Sequence, residues 1–348
     1  MTNEKITNFD PNSVGQADNG LFGLPFTPEE AQMVVIPVPW EVTTSYGGGT
    51  ANGPEVVAEA SLQVDLYHPD FPTAWQSGIA WIDPPAEWRA NSDRLRPIAE
   101  RLIQAQVDGE IIAESPELAE QLDQINQACA ALHAGVKEEA ELWLAKGKLV
   151  GLLGGDHSVS LGFLEALADR HNDFGILQID AHMDLRDAYE GFTYSHASIM
   201  TNALKISAIT RLVQVGIRDY CEAELELANT DSRVQVFTDK ALKEAQFKGK
   251  SWHQLCQDII ATLPQKIYIS FDIDGLHPAL CPNTGTPVPG GFQLEEITYL
   301  LQQIVQSNRQ FIGFDLVEVS PGQDPWDANV GARVLYALCG YQLLSNKG

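Results

Sequence analysis

The sequence predicts a three-layer α/β fold, with helices covering both faces of a mostly parallel sheet of about eight strands. Three observations carry this prediction. Short apolar runs alternate with amphipathic helical patterns, the runs are nearly continuous rather than alternating in apolar residues, and charged residues recur just past their ends. Continuous runs mark strands buried on both faces, as in parallel sheets flanked by helices. Repeated strand–helix units joined by right-handed crossovers build one such domain.

The candidate strands, in order, are 33–39 (MVVIPVP), 78–82 (GIAWI), 148–154 (KLVGLLG), 174–180 (FGILQID), 211–216 (RLVQVG), 234–237 (VQVF), 266–274 (KIYISFDID) and 311–319 (FIGFDLVEV). Residues 117–146 carry the longest helical pattern. Ser251 is a candidate N-cap for a helix that stops before Pro264. Leu294, Ile297, Leu300, Leu301, Ile304 and Val305 repeat at helical spacing. Residues 1–30 read as an irregular arm ahead of a single domain over 31–348, and 83–92 (DPPAEWRANS) as a surface loop. The glycine run 46–54 (YGGGTANGP) is not followed by GK[ST], so it is no phosphate-cradling loop. It is expected to let an N-terminal segment turn over the rim of a site.

A chain of 348 residues, 44 % of them hydrophobic, can bury a sizeable core. No apolar run approaches the ~20 residues of a membrane span, and the start lacks the basic-then-apolar order of a secretory signal. The cytoplasm is the expected location. Five scattered cysteines with no CxxC pair indicate reduced, mostly buried thiols. With 47 acidic and 22 basic residues, the formal charge of −25 disfavours nucleic acid and acidic membranes and favours cationic ligands.

In open α/β sheets, ligands bind beyond the carboxyl ends of the strands. There this chain places Asp156 and His157, then Asp180, His182 and Asp184, then Asp272 and Asp274, and finally Glu318. The segment FGILQIDAHMDLRD (174–187) is the most telling, because three such side chains are expensive to bury unless something neutralises them. In an extended strand Asp180 and Asp184 would lie ~13 Å apart. Either the chain curls past the strand or the residues serve two ions. Four aspartates bring four negative charges, which two divalent ions would balance while the histidines ligate as neutral imidazoles. A set rich in carboxylate oxygen with two imidazoles favours Mn²⁺ over thiolate-seeking Zn²⁺, although affinity order alone favours Ni²⁺ and Zn²⁺.

The blocks GGDHS (154–158), DAHMD (180–184) and SFDIDGLHPALCPNTGTP (270–287) resemble the signatures of the ureohydrolases, the arginase and agmatinase family, over about residues 30–345. The resemblance implies an arginase-type fold and hydrolysis of a guanidino compound to urea and an amine at a binuclear manganese centre, in trimers or hexamers. It implies His157, Asp180, Asp184 and Asp272 on one ion, and Asp180, His182, Asp272 and Asp274 on the other, with Asp180 and Asp272 bridging. His196, in YSHAS, matches the family histidine that shuttles protons to the leaving amine, a task suited to imidazole. Glu318 matches the carboxylate that holds the guanidinium as a bidentate pair.

His277 stands where the family has aspartate, and contact behind the ligands, loop packing and pocket lining are all open to it. The loop 184–198 and VGIRD (215–219) resemble agmatinases more than arginases. Agmatine, yielding putrescine and urea, is the expected substrate, with guanidine, guanidinobutyrate and arginine as alternatives. Asp187 and Glu190 are expected at the pocket rim, facing a cationic tail, beside Arg186, which could receive a carboxylate. A binuclear phosphoesterase would need GNHE and GHxH patterns that this chain lacks. A non-catalytic metal-stabilised protein would be expected to lose His196 or Glu318 first.

Overall fold

The computed structural model describes residues 2–16 and 18–347. One sheet holds eight strands: β1 (Met33–Val38), β2 (Ile79–Trp81), β3 (Leu149–Gly154), β4 (Phe174–Ile179), β5 (Ile209–Ile217), β6 (Val234–Thr238), β7 (Lys266–Asp272) and β8 (Gln310–Val317). Their order is β2-β1-β3-β8-β7-β4-β5-β6 and every pairing is parallel. From β3 the chain crosses to β4, runs outward to β6, and returns to fill the gap with β7 and β8. The four strands whose ends carry the charged residues are thereby made neighbours.

An apolar cluster packs on each face of the sheet. Met33 and Val35 enter one apolar cluster with helices Leu294–Gln306 and Trp326–Ser345, while Val34 and Ile36 enter the other with helices Ala86–Val107 and Pro116–Ala145. Successive strand side chains point to opposite faces, so burial of both faces is what makes the runs continuous in apolar residues. The long helix, Pro116–Ala145, is capped by Ser115. Ser251 and Gln254 form a reciprocal capping box on helix Trp252–Thr262.

Two expectations need correction. Residues 86–92 are not loop but the start of helix Ala86–Val107, which buries Trp88, Ser92, Leu95, Ala99 and Leu102 at spacings of four and three. Polar neighbours and Ser92 dilute that stripe in the sequence, and the Ser92 hydroxyl is buried because it receives the Glu41 N–H (3.0 Å). The arm is not irregular throughout: it opens with helix Thr2–Asn8 and buries Leu21, Phe22, Leu24 and Phe26. No helix among the described residues is long and apolar enough to cross a membrane.

Candidate metal centre

Past the end of β4 the chain leaves the extended conformation. Asp180 still pairs with β5 through its N–H to the Val215 carbonyl (3.2 Å), but Asp184 sits at φ +54°. Left-handed backbone is costly for a side chain with a Cβ, and such positions cluster at functional sites. The curl brings Asp184 Oδ2 to 2.9 Å from His157 Nδ1. Glu318, just past β8, is another such residue, at φ +63°. Its N–H bonds the Gly155 carbonyl (2.8 Å) and its Oε1 receives the His157 N–H (2.9 Å). A Cβ at Gly155 would lie 1.9 Å from the Trp40 carbonyl oxygen, so this turn admits only glycine.

Two groups of donor atoms result, each with all its atoms within 4.8 Å of one another: His157, Asp180 and Asp272, and Asp180, His182 and Asp274. Asp180 belongs to both. His157 Nδ1 lies 3.2 Å from Asp180 Oδ2 and 3.5 Å from Asp272 Oδ2, while His182 Nδ1 lies 3.0 Å from Asp274 Oδ2 and 3.6 Å from Asp180 Oδ1. Asp272 falls in the first group only; its Oδ1 takes the Asp274 N–H (2.8 Å).

The residues fit divalent cations. His157 Nδ1 is buried among three carboxylate oxygens, yet it has no partner in hydrogen-bonding geometry. Among the described residues, no lysine or arginine pairs with these aspartates. Burial and then the Asp180 charge push Asp184 up to about 7, and burial, Asp274 and Asp180 hold Asp272 well above the usual carboxylate range. Burial alone would lower His157 and His182, but the surrounding carboxylates outweigh it and hold both imidazoles well above their ordinary value. The clustered carboxylates draw positive charge into the centre, and its hard oxygen and imidazole donors suit a divalent ion.

Behind the ligands, one row of buried polar residues crosses the sheet, in register from Gln214 on β5 through Gln178 on β4 and Ser270 on β7 to Asp315 on β8. Gln214 Nε2 donates to Gln178 Oε1 (2.7 Å), whose own Nε2 donates to Asp180 Oδ2 (2.8 Å). His157 Nε2 meets Ser270 Oγ at 2.7 Å, and Ser270 donates to Asp315, which also receives the Tyr268 hydroxyl (2.7 Å). This chain fixes the His157 ring with Nδ1 toward the aspartates, as partners behind ligating histidines do. Replacing Asp315 with asparagine is expected to weaken metal binding roughly 10–100-fold. Titration of metal-stripped protein with Mn²⁺ checks this, and unchanged affinity would deny Asp315 that role.

Above the centre lies a cleft of about 160 Å³, lined in part by Ser45, Arg186, His196 and Glu318. The His196 N–H donates to Thr43 Oγ1 (3.2 Å), and its two ring nitrogens lie 3.4 Å from the hydroxyls of Ser45 and Ser195. Burial, then His182, push His196 down to about 3, leaving it a neutral imidazole. Ser45 arrives on the glycine loop, where the Gly47 N–H bonds the Gly285 carbonyl (3.1 Å) and Glu41 Oε2 receives the N–H groups of Gly49 and Ala51. His277 is exposed and its Nδ1 accepts the Ala279 N–H (3.1 Å), a contact within its own turn. The rim expectation needs correction. Asp187 is exposed, and neither it nor Glu190 lines the cleft; Asp219 and Glu224, brought in after β5, do.

The sequence profile of the Arginase family matches residues 31–340. The chain belongs to the arginase family. Among curated proteins it is similar to an N(1)-aminopropylagmatine ureohydrolase of Thermus thermophilus, with 30 % identity over 321 residues, 92 % of this chain and 94 % of that protein. It is also 30 % identical over 285 residues to the guanidinobutyrase of Pseudomonas aeruginosa, covering 77 % of this chain and 82 % of that one. Among solved structures, the proclavaminate amidino hydrolase of Streptomyces clavuligerus superposes with a TM-score of 0.72 at 22 % identity, over 96 % of this chain and all 100 % of the other. The agmatine ureohydrolase of Thermoplasma volcanium gives 0.67 at 22 % identity, over 98 % and 97 %. The eight-stranded arginase fold expected from the sequence is present. As an arginase-family ureohydrolase the protein is a hydrolase, of a family dependent on a binuclear metal centre. Sequence reasoning did not single out Thr43, Ser45 or the polar row beneath the ligands.

Proposed function

We propose that this enzyme hydrolyses agmatine to putrescine and urea at a pair of divalent cations, with Mn²⁺ the ion its donor set favours, in the cytoplasm as a trimer or hexamer. His157, Asp180, Asp184 and Asp272 would hold one cation, and Asp180, His182 and Asp274, with Asp272 shared, the other. Such a pair lowers the pKa of water and so supplies a nucleophile near neutral pH.

The protein's own groups do the rest. Glu318 has one carboxylate oxygen occupied by the His157 N–H, which leaves Oε2 for the substrate. Burial and then Asp156 hold its pKa well above the usual range, so a guanidinium there would restore the carboxylate form and be oriented by it. His196 is neutral and flanked by two hydroxyls, so it can accept a proton at one nitrogen and release one from the other. We assign it the transfer to the leaving amine.

The observation that carries the choice of substrate is the pairing of Arg186. Its Nε lies 3.8 Å from buried Glu224 Oε2, and its guanidinium stacks on the Tyr189 ring at 4.5 Å. The cation that could have received an amino-acid carboxylate is already engaged. Asp219 lines the same cleft, exposed and without an ion-pair partner among the described residues, and it suits an ammonium tail. An unpaired substrate carboxylate near these acids would be repelled. We therefore expect kcat/KM for agmatine to exceed that for arginine at least tenfold, about 1.4 kcal/mol. Urea release from agmatine, arginine, guanidinobutyrate and guanidine tests this, and parity with arginine or preference for it would overturn the reading.

A further inference from the structure

Among the described residues, helix Ala86–Val107 contributes nothing to the lining of the cleft, yet it bonds two of the segments that form the cleft wall. Near its carboxyl end, Gln106 Nε2 donates to the carbonyl of Glu190 (3.0 Å), the neighbour of cleft-lining Tyr189. Nearer its middle, Ser92 and Arg96, one helical turn apart, reach the other segment, residues 41–45. Ser92 Oγ takes the Glu41 N–H, and Arg96 Nη1 donates to the carbonyls of both Val42 (3.2 Å) and Thr44. The Arg96 side chain is only 13 % exposed, and its Nε pairs with exposed Glu100 (3.0 Å).

Residues 42–44 belong to no helix or strand, and Val42, Thr43 and Thr44 are almost fully buried. A buried carbonyl left without a donor is costly. Among the described residues, the carbonyls of Val42 and Thr44 have no donor besides Arg96. A guanidinium suits the task, because one planar group presents several N–H donors in fixed directions and stays charged. The side chains of the same segment meet the proton-transfer histidine. Thr43 Oγ1 takes the His196 N–H (3.2 Å), and Ser45 Oγ stands 3.4 Å from the His196 Nε2. The two carbonyls that Arg96 holds flank Thr43, and Thr44 directly precedes Ser45. Where those carbonyls sit therefore sets where both hydroxyls sit.

We propose that Arg96, supported by Ser92, is a positioning residue for proton transfer by His196, a role that rests on the assignment of His196 made above. Arg96 acts without touching substrate, by fixing residues 42–45 against the imidazole. Its loss should cost turnover through His196 and leave the ions in place, because the segment bonds none of their ligands.

The test is a double-mutant cycle on the metal-loaded full chain, read as kcat and KM for urea release from agmatine, or from whichever of the four guanidino compounds is hydrolysed. Arg96→Met, which keeps the stem and removes the donors, is expected to lower kcat at least tenfold while KM and two ions per chain are retained. Arg96→Lys, whose ammonium can still donate to both carbonyls, should recover most of that loss, and Glu100→Gln should change nothing. In a His196→Asn background, Arg96→Met should change kcat by less than about twofold, because the group it positions is gone. Ser92→Ala, a milder change, should show the same dependence on His196, and it carries the test alone if Arg96→Met does not fold. An equal fold-loss in both backgrounds, loss of ions together with kcat, or full kcat in both Arg96→Met and Ser92→Ala would overturn the proposal. Full kcat in His196→Asn alone would overturn the proton-transfer assignment, and this role with it, so the single variant tells the two failures apart.

Discussion

Asp180→Asn is expected to empty both donor groups and to reduce urea release by more than about 100-fold, beyond what losing a partner behind a ligand costs. Asp180 is the residue common to the two groups, and it is fully buried. Its carboxylate is aimed by the Gln178 side chain on one oxygen (2.8 Å) and by the His182 N–H on the other (2.6 Å). Asparagine has the same shape, so the sheet beneath should survive, but it turns a charged acceptor into a neutral group with a donor facing the cations. Metal content and turnover on one preparation, with far-ultraviolet circular dichroism as the check on folding, decide the matter. Two tightly held ions together with near-normal turnover would show that Asp180 is not shared. Asp272→Asn is the companion variant. If Asp272 bridges, as the family resemblance implies, it should lose both ions; if it serves only the group with His157, one should remain.

His196→Asn is expected to behave in the opposite way, keeping two ions per chain while kcat falls roughly 10²–10⁴-fold, the usual contribution of a positioned acid or base. The separation follows from its contacts. His196 touches the hydroxyls of Thr43, Ser45 and Ser195, and none of the aspartates. Asparagine can keep a hydrogen bond there but cannot exchange a proton near neutral pH. Metal analysis beside the rate constant separates the outcomes, because loss of an ion would move His196 among the ligands.

Much of this was legible in the sequence because burial on both sheet faces writes itself as unbroken apolar runs. The eight predicted strands lie within a few residues of those observed, and the charged residues past their ends meet because β7 and β8 return between β3 and β4. What was missed depends on tertiary approach. Asp219 and Glu224 reach the cleft from the segment after β5, whereas Asp187 and Glu190, nearer in sequence to the ligands, turn away from it. Ser45 reaches His196 from 151 positions away, carried by a glycine loop whose place at the rim was anticipated but not its contact. The polar row of Gln214, Gln178, Ser270 and Asp315 did leave a signal. Each interrupts an otherwise apolar buried strand, and a polar residue in such a strand must have a partner. Helix Ala86–Val107 was hidden because Ser92 occupies a core position in its stripe.

The most direct test of a two-cation hydrolytic centre is calorimetric titration of metal-stripped protein with Mn²⁺, with urea release from agmatine followed on the same samples. The predicted result is two ions bound per chain, no urea from the stripped protein, and turnover that rises as the second ion binds. Full urea release with a single ion bound, or undiminished release from stripped protein, would contradict it.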